Sequence, residues 1–440
     1  MHTAIIGAGP AGLLLGAGLA QRGHEVTLVD RDTGPEEDGT WPRRGVMQFH
    51  HAHAFRGQGV DAVRAELPGA YDRLLDAGAE PVEVTVPGGG SIRVGMRCRR
   101  QTFETALRAA ALCTPGLTLV TGPVDAVAAE DSRAVGLHVD GAELPADLVV
   151  DASGRASRAT RSLRPHPVVG GPCGIAYVDR QYQLREGAEP GPMVNPLAWE
   201  AELDGYQVLV FLHEQGTFSV VIIRPTVDRG LLPLRHEAAF DAACRAIPGL
   251  SDWTDPERAR PTSPVLPGGT LMNCYRSQAG PGGDLALPGL LFVFDAVCTT
   301  TPNFGRGIAT SLQQVAEVLR LVEVHGGDHV AVAEQFDAWC EVQMRPWVED
   351  HVSMDDSSRR RWTGSDLDLS ERIPSNLVLA AAEVDPSIGA ATGPYLTMTG
   401  LPSTLDAVEP LARAVYETGW RPRPAAGPSR AELAELVATA

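Results

Sequence analysis

The chain has 440 residues, of which 44% are hydrophobic and 21% charged, an ordinary globular balance with room for one large domain or two that share a core. A net charge of −18 disfavours a nucleic-acid groove or an anionic membrane surface as partner, and every basic side chain is arginine, so no chemistry that needs a lysine amine is available. Seven cysteines, at 98, 113, 173, 244, 274, 298 and 340, are scattered without a CxxC, which argues against a disulfide frame or zinc site and for a reduced, cytoplasmic protein.

Residues 2–32, HTAIIGAGPAGLLLGAGLAQRGHEVTLVDRD, read as strand, glycine turn, helix and strand. The apolar run from Ala4 to Ala20 is broken by glycines and Pro10, so it reads as neither signal peptide nor membrane span. Gly7, Gly9 and Gly12 match GxGxxG in the context that gives the motif meaning. Gly7 permits the tight turn, Gly9 lets backbone approach a pyrophosphate, and Gly12 lets the helix pack on its strand. The helix start, including Ala11, offers free N–H groups and a positive dipole end to phosphates. Asp30, followed by Arg31, ends the second strand where a carboxylate can accept bonds from an adenosine ribose. A dinucleotide site is predicted here.

The stretch EEDGTWPRRGVMQFHHAHAFRGQG at 36–59 is rich in Gly, Arg and His and suits a long functional loop beside an extended cofactor. Its histidines 50, 51 and 53 lack an evident further partner, so no metal is expected; a role beside the cofactor is. Residues 100–122 read as a helix and then a strand, followed by a hairpin turning at Asp140-Gly141 and an apolar strand ending at Asp151. From 166 to 285 the pattern becomes alternating strands, with a hairpin around Gln215-Gly216, as in an inserted sheet domain. LPGLLFVFDAV then returns to the buried-strand type of the first domain.

FDAVCTTTPNFGRGIAT at 294–310 completes the pattern. Asp295 follows a returning strand beside the first glycine turn, where it can bond a sugar-like hydroxyl. Pro302 fixes a turn, and Gly305-Arg306-Gly307, with Ile308, opens a helix whose free N–H groups favour negative charge. Arg306 reads equally as an anion ligand or as a structural cap. Cys298 reads as a small buried residue, SSRRRW at 357–362 as a solvated or packing surface in a connecting segment, and SRAELAELVATA as a terminal helix that docks on the body or on another subunit.

On these residues the chain resembles the FAD-dependent monooxygenase superfamily, which includes aromatic hydroxylases and the squalene and polyether epoxidases. GAGPAG through Asp30 resembles its ADP-binding motif, DASGRAS at 151–157 its second motif, and FDAVCTTTPNFGRG its third, GDAxxxxxPxxGxG. RRGVMQFHHAHAF resembles the R-x-G-V-x-Q-x-x-H-x-H loop of the epoxidase branch, on Arg43, Gln48, His51 and His53. The resemblance covers roughly residues 1–325. It implies that Arg100 contacts the flavin, that the Val124 backbone meets the adenine, that Asp151 and its turn lie near the pyrophosphate, and that Asp295 lies toward the ribityl chain. It places Gly305 to Ile308 toward the isoalloxazine. Two departures stand out: Phe294 replaces the family's glycine, and Ala152-Ser153 precede Gly154.

The implied fold is α/β: a discontinuous Rossmann-like FAD-binding domain at 1–165 and 286–340, an inserted, mostly antiparallel substrate sheet at 166–285, and a C-terminal helical segment at 341–440. The implied function is insertion of one oxygen atom of O2 into a largely apolar small molecule, a secondary metabolite, through a flavin C4a-hydroperoxide. NAD(P)H, or reduced flavin from a partner reductase, would supply electrons. No catalytic side chain is assigned, and neither nucleic acid, membrane nor metal is expected; the oligomeric state is left open. The alternatives are an FAD-dependent dehydrogenase, reductase or oxidase on the same scaffold, and a non-enzymatic protein whose flavin binding Phe294 has weakened. A halogenase is disfavoured because that branch relies on a lysine.

Overall fold

Short runs of Val, Ile, Leu and Ala bounded by glycine turns build a five-stranded parallel sheet in the order Leu290–Phe292, Leu148–Asp151, His2–Ile6, Glu25–Asp30 and Leu117–Thr121. Such runs suit strands covered on both faces, and the inner residues of all but the edge strand Leu117–Thr121 are buried. The structure is a computed structural model that describes residues 1–440 except Arg44, Pro87, Gly88, Ala156 and Pro281. Arg44 and Ala156, which fall in two of the motifs quoted above, thus lie outside the described residues. Ile6 stands opposite both Val29 and Asp151, and Asp151 opposite Phe292, so the carboxyl ends of the strands meet at one edge.

Two helices start at that edge. The first, Pro10–Gln21, packs through Gly18 against the second, Gly307–His325: a Cβ at Gly18 would sit 2.6 Å from a Leu319 methyl. A third helix, Arg100–Ala111, is capped from outside its own domain. Glu214, in the hairpin turn of the inserted sheet, accepts hydrogen bonds from Arg99 N at 2.7 Å and Thr102 Oγ1 at 2.5 Å. A carboxylate at a helix N-terminus complements the dipole, so the hairpin turn ties the two sheets together.

The inserted sheet is antiparallel, with strands Ala198–Leu203, Tyr206–Leu212, Thr217–Pro225, Ile175–Leu184 and Ala259–Pro261 in order, and Leu266–Gly268 also pairing with Ile175–Leu184. Side chains alternate between its faces. One face (Trp199, Tyr206, Val208, Val210, Phe218, Val220, Ile222) forms a core with helix Glu237–Ala246 and with Leu433 and Val437 of the terminal helix Arg430–Thr439. That tail therefore docks on its own chain, held by a Ser429–Glu432 capping box and an Arg430–Asp228 ion pair. The other face, with Tyr177, Leu209, Val221 and Ile223, packs against Ala52 and Trp362.

SSRRRW does not lie in a connecting segment. It is the end of the helix Arg345–Trp362, and Arg359, Arg360 and Arg361 occupy its last turn, where cations complement the dipole. The C-terminal segment adds short helices around a core of Trp347, Ile373, Tyr395 and Tyr416.

Phe294 also departs from simple strand geometry. It lies in a short 3-10 turn, and its φ of 61° is left-handed. A glycine adopts that conformation freely, which accounts for the family residue at this position. Phe294 instead spends the strain to bury its ring in the main core, while its N–H donates to Gln314 Oε1 at 2.7 Å. Truncation of a buried Phe costs about 3–5 kcal/mol, and relief of a left-handed residue returns about 1–2 kcal/mol. Phe294→Gly is therefore expected to destabilise the protein by about 1–4 kcal/mol without tightening FAD binding. Urea unfolding with an FAD titration checks this; tighter binding at unchanged stability would refute it.

Candidate functional site

The first glycine turn is built to leave space outside itself. Gly7 has a φ of 103°, and a Cβ at Gly12 would collide with the Gly7 carbonyl oxygen. Gly9 differs: a Cβ there meets nothing nearer than an Arg43 guanidinium nitrogen at 4.0 Å. Packing within the protein therefore does not require glycine at 9, whereas a close ligand would. In the first helical turn, Ala11 and Gly12 N–H groups have no acceptor among the described residues, and no side chain caps the helix.

Around this turn the loop 32–45 supplies charge. Arg43 is buried, donates to Glu104 Oε2 at 2.7 Å and to the Ala8 carbonyl at 3.0 Å, and stacks 4.8 Å over Trp41. Asp30 accepts from Ala8 N at 2.7 Å and Asp32 N at 2.9 Å, so it first of all holds the glycine turn. Gly122 N donates to the Asp30 carbonyl at 2.9 Å, which brings the start of the Val124 strand to the same end. Arg31 is exposed and points back toward the Gly45 carbonyl at 3.5 Å. The Gln48 side chain is half-buried.

At the far end of the sheet edge, the Asp295 carboxylate has no hydrogen-bond partner among the described residues. Burial raises its pKa, while the charges of Arg100, Arg155 and Arg164 oppose the rise. The residue is half-buried. Pro302 starts the next turn, its carbonyl accepting from Gly305 N at 2.9 Å. Gly305, at φ 61°, allows a close crossing of segment 51–56: a Cβ there would lie 2.5 Å from Ala54 Cβ. Arg56 ties the crossing with bonds of 3.0 and 2.6 Å to the Phe304 carbonyl. Beyond it, Gly307 and half-buried Ile308 begin their helix with N–H groups that have no acceptor among the described residues.

Of three expected residues, Arg306, Asp151 and Arg100, the first two are corrected. The Arg306 side chain turns away from the sheet edge into the C-terminal segment, 3.0 Å from Asp350 and caged by Phe304, Trp347 and Tyr395 at 5.1, 4.6 and 4.5 Å. It anchors the turn and is not available as an anion ligand. Asp151 is fully buried and saturated by Ser153, Thr160 and Arg164, so its carboxylate shapes its own turn and does not face a pyrophosphate. Arg100 is held by Glu104 at 2.5 Å and lies 3.1 Å from His53 Nε2; only its field reaches Asp295.

Glu104, Arg56 and Glu200 escaped the sequence reading. Glu104 sits four residues after Arg100 on one helix face and bonds both Arg100 and Arg43, a spacing that could have been noticed. The charges of Arg56 and Glu200 influence each other only because segments far apart in sequence come near in the fold. Desolvation raises the Glu200 pKa, with Arg56 opposing the rise. His50 is exposed, and among the described residues no cluster of three His, Cys, Asp or Glu could hold a metal.

The Lycopene cyclase protein family matches residues 3–171. The flavin-dependent brominase Bmp2 superposes with a TM-score of 0.64 at 16% identity, over 96% of this chain and all of that one. PqsL, a probable FAD-dependent monooxygenase from Pseudomonas aeruginosa, gives 0.61 at 14% identity over 83% of this chain and 99% of its own. The chain has the fold of the FAD-dependent monooxygenase superfamily. The chondrochloren halogenase CndH is also similar, at 0.60 and 18% identity over 94% of this chain and 97% of its own. D-amino acid dehydrogenase 2 of Ralstonia nicotianae is 37% identical over 60 residues, and the match spans only 14% of either protein's length.

The residues present fit FAD: two uncapped helix starts, an unneeded glycine at 9 and a partnerless carboxylate share one sheet edge. Gly9→Val is expected to abolish FAD binding while leaving the fold intact, since the new side chain takes the pyrophosphate's place. Flavin content and a circular dichroism melt check this; a variant that purifies with full flavin would overturn the assignment. Asp295→Asn is expected to weaken FAD binding by about 1–3 kcal/mol. A carboxyl whose folded pKa is raised loses stability as pH climbs through that pKa, so the same variant should melt higher than wild type when flavin-free at neutral pH. That gain should fade as pH falls into the carboxylate range. Equilibrium dialysis and melts at two pH values read both effects.

Proposed function

We propose that the chain is an FAD-dependent oxidoreductase, specifically a monooxygenase acting on a largely apolar small molecule. The observation that carries this reading is the carboxyl edge of the parallel sheet, where the starts of helices Pro10–Gln21 and Gly307–His325 and the Asp295 carboxylate come together, with no hydrogen-bond partner for that carboxylate among the described residues. Bound FAD would supply the redox chemistry, taking electrons from NAD(P)H or from a partner reductase and passing an oxygen atom of O2 to the substrate. Ala11, Gly12 and Arg43 would hold its pyrophosphate, Asp30 and Val124 its adenosine, and Asp295 its ribityl chain. The free cysteines and net negative charge support a cytoplasmic protein that works on neither nucleic acid nor membranes.

Halogenases share this fold, but the resemblance ties that chemistry to a lysine, and this chain has none. A dehydrogenase remains as a second reading because of the short identity to D-amino acid dehydrogenase 2. Purified protein is expected to be yellow, to bleach with anaerobic NADPH alone or with an added flavin reductase, and to recolour in air. Uptake of O2 and NADPH in equal amounts with substrate supports a monooxygenase. Turnover of substrate without O2 uptake moves the reading to the dehydrogenase, and a colourless protein that takes up no added FAD sinks both.

A further inference from the structure

Buried polar contacts join the turn before the Gly307 helix to the C-terminal segment by a route separate from the Arg306 cage. Asn273, Thr301, His351 and Asp355 are all buried. Asn273 lies on strand Met272–Tyr275, whose backbone pairs with Cys298–Thr299. Where that pairing stops, the Asn273 side chain takes over: its Oδ1 accepts from Thr301 N at 2.7 Å, and its Nδ2 donates to Asp355 Oδ2 at 2.7 Å. Asp355 Oδ1 lies 3.3 Å from Thr301 Oγ1 and 3.4 Å from Asn303 Nδ2. Thr301 Oγ1 is also 2.9 Å from His351 Nδ1, and the Phe304 ring stands edge-on to that histidine at 5.6 Å. The protons in this chain have one order. Burial and the charges of Arg306 and Arg56 hold the His351 pKa well below its ordinary value, so the ring is neutral. Its Nε2 faces the Arg306 guanidinium at 3.5 Å, so the ring proton sits on Nδ1 and is donated to Thr301 Oγ1. The Thr301 hydroxyl then donates its own proton to Asp355, where every link ends.

We propose that Asp355 is a positioning residue for the cofactor edge: through Thr301 and Asn273 its carboxylate holds the 299–305 turn so that the Gly307 helix start faces the flavin, and FAD binds more tightly when that carboxylate is ionised. The inference rests on the flavin assignment and adds a regulation of the same site. Either Asp355 oxygen, once protonated, meets a donor: Asn273 N–H at Oδ2, and the Thr301 hydroxyl and Asn303 N–H at Oδ1. One link of the chain must then break, and the turn loses its fixed end. Burial pushes the Asp355 pKa up to about 6, against the bonds from Asn273, Thr301 and Cys173 and the charge of Arg359. The titratable and charged groups facing it are therefore few. Cys173, just after strand Val169–Pro172, is held as a thiol by burial and by Asp355 itself. Arg359 lies one turn further along the helix, and His351 one turn back, reaching it through Thr301. A carboxyl whose folded pKa is raised loses stability as pH climbs through that value, so the flavin-free fold favours the acid form while FAD favours the carboxylate. A carboxylate that only supports the fold gives FAD affinity no pH dependence of its own.

The test is equilibrium dialysis of FAD against flavin-free, full-length protein over a pH series that brackets the Asp355 value of about 6, with melts of the same samples. Wild-type affinity is expected to rise about tenfold with pH, the equivalent of FAD lowering that pKa by about one unit. Asp355→Asn offers one acceptor and one donor at every pH, as the acid form does. It should match wild type at low pH, stay at that weaker affinity throughout, and melt higher than wild type at neutral pH. Should Asp355→Asn fail to fold, Thr301→Val decides. It removes a bond that lowers the Asp355 pKa, so the midpoint should move to higher pH, and an unmoved midpoint overturns the proposal. A pH dependence that survives in Asp355→Asn also overturns it, since the titrating group is then another, such as Asp295. So does an equal loss of affinity at every pH, the mark of a structural role alone. Wild-type protein that binds FAD with no pH dependence counts against the proposal only, whereas no FAD binding at any pH removes the flavin assignment and the proposal with it.

Discussion

The Gly7 carbonyl leaves no room for a side chain at Gly12, and this contact sets the pitch of the first helix against its strand. Once that helix lies close, Gly18 lets Leu319 settle on it, so the Gly307–His325 helix runs alongside. Both helices then begin at the carboxyl edge of the sheet, and both leave first-turn N–H groups unpaired. Uncapped helix starts are costly when buried without partners. Two side by side, one facing a glycine turn and the other a proline turn, amount to a demand for an extended ligand with acceptors at both ends.

Buried charge is arranged around that demand. Glu104 is fully buried and bridges Arg43 and Arg100, Asp30 and Asp32 add negative charge beside Arg43, and Asp350 pairs with Arg306. Pairs of this kind contribute little net stability compared with apolar packing, yet breaking one strands a charge at a cost of several kcal/mol. Their value here is geometric. Arg43 is held opposite Gly9, and the Arg306 cage pins the 302–307 turn to the C-terminal helices. The C-terminal segment thus supports the cofactor edge without entering it.

The sequence made one part of this legible and hid another, for physical reasons. Short-range periodicity shows in the residues themselves: the glycine turn, the helix at 307–325 and the hairpin through 206–225 all stand where local pattern places them. What local pattern could not show is which partner a side chain chooses. Arg306 has flexible reach, and only the fold brings Trp347 and Tyr395 within 5 Å of it. Asp151 looked available because its three partners follow it in a turn whose closure is not written in any period. Phe294 shows the converse case. Its ring lies in the core, as side-chain alternation from Asp295 on a strand would also put it, but it gets there through a left-handed turn and not through a strand.

The inserted sheet divides its work between two faces. Its outer face is covered by helix Glu237–Ala246 and the chain's own last helix and is mostly apolar, with Arg180 paired to Glu237 and Asp241 at its rim. Its inner face must meet a surface made of turns, and turns present carbonyls and N–H groups that an apolar face cannot satisfy. Asp179 answers one of them at Ala52, and Arg56 answers Phe304 from the opposite side. Once those contacts are made, the Asp295 carboxylate and the Tyr177 hydroxyl have no hydrogen-bond partner among the described residues. Asp151 and Glu104, by contrast, are saturated by neighbours. Natural structures leave a polar group unpaired where something else completes it, and Asp295 at the carboxyl edge of the sheet is such a group.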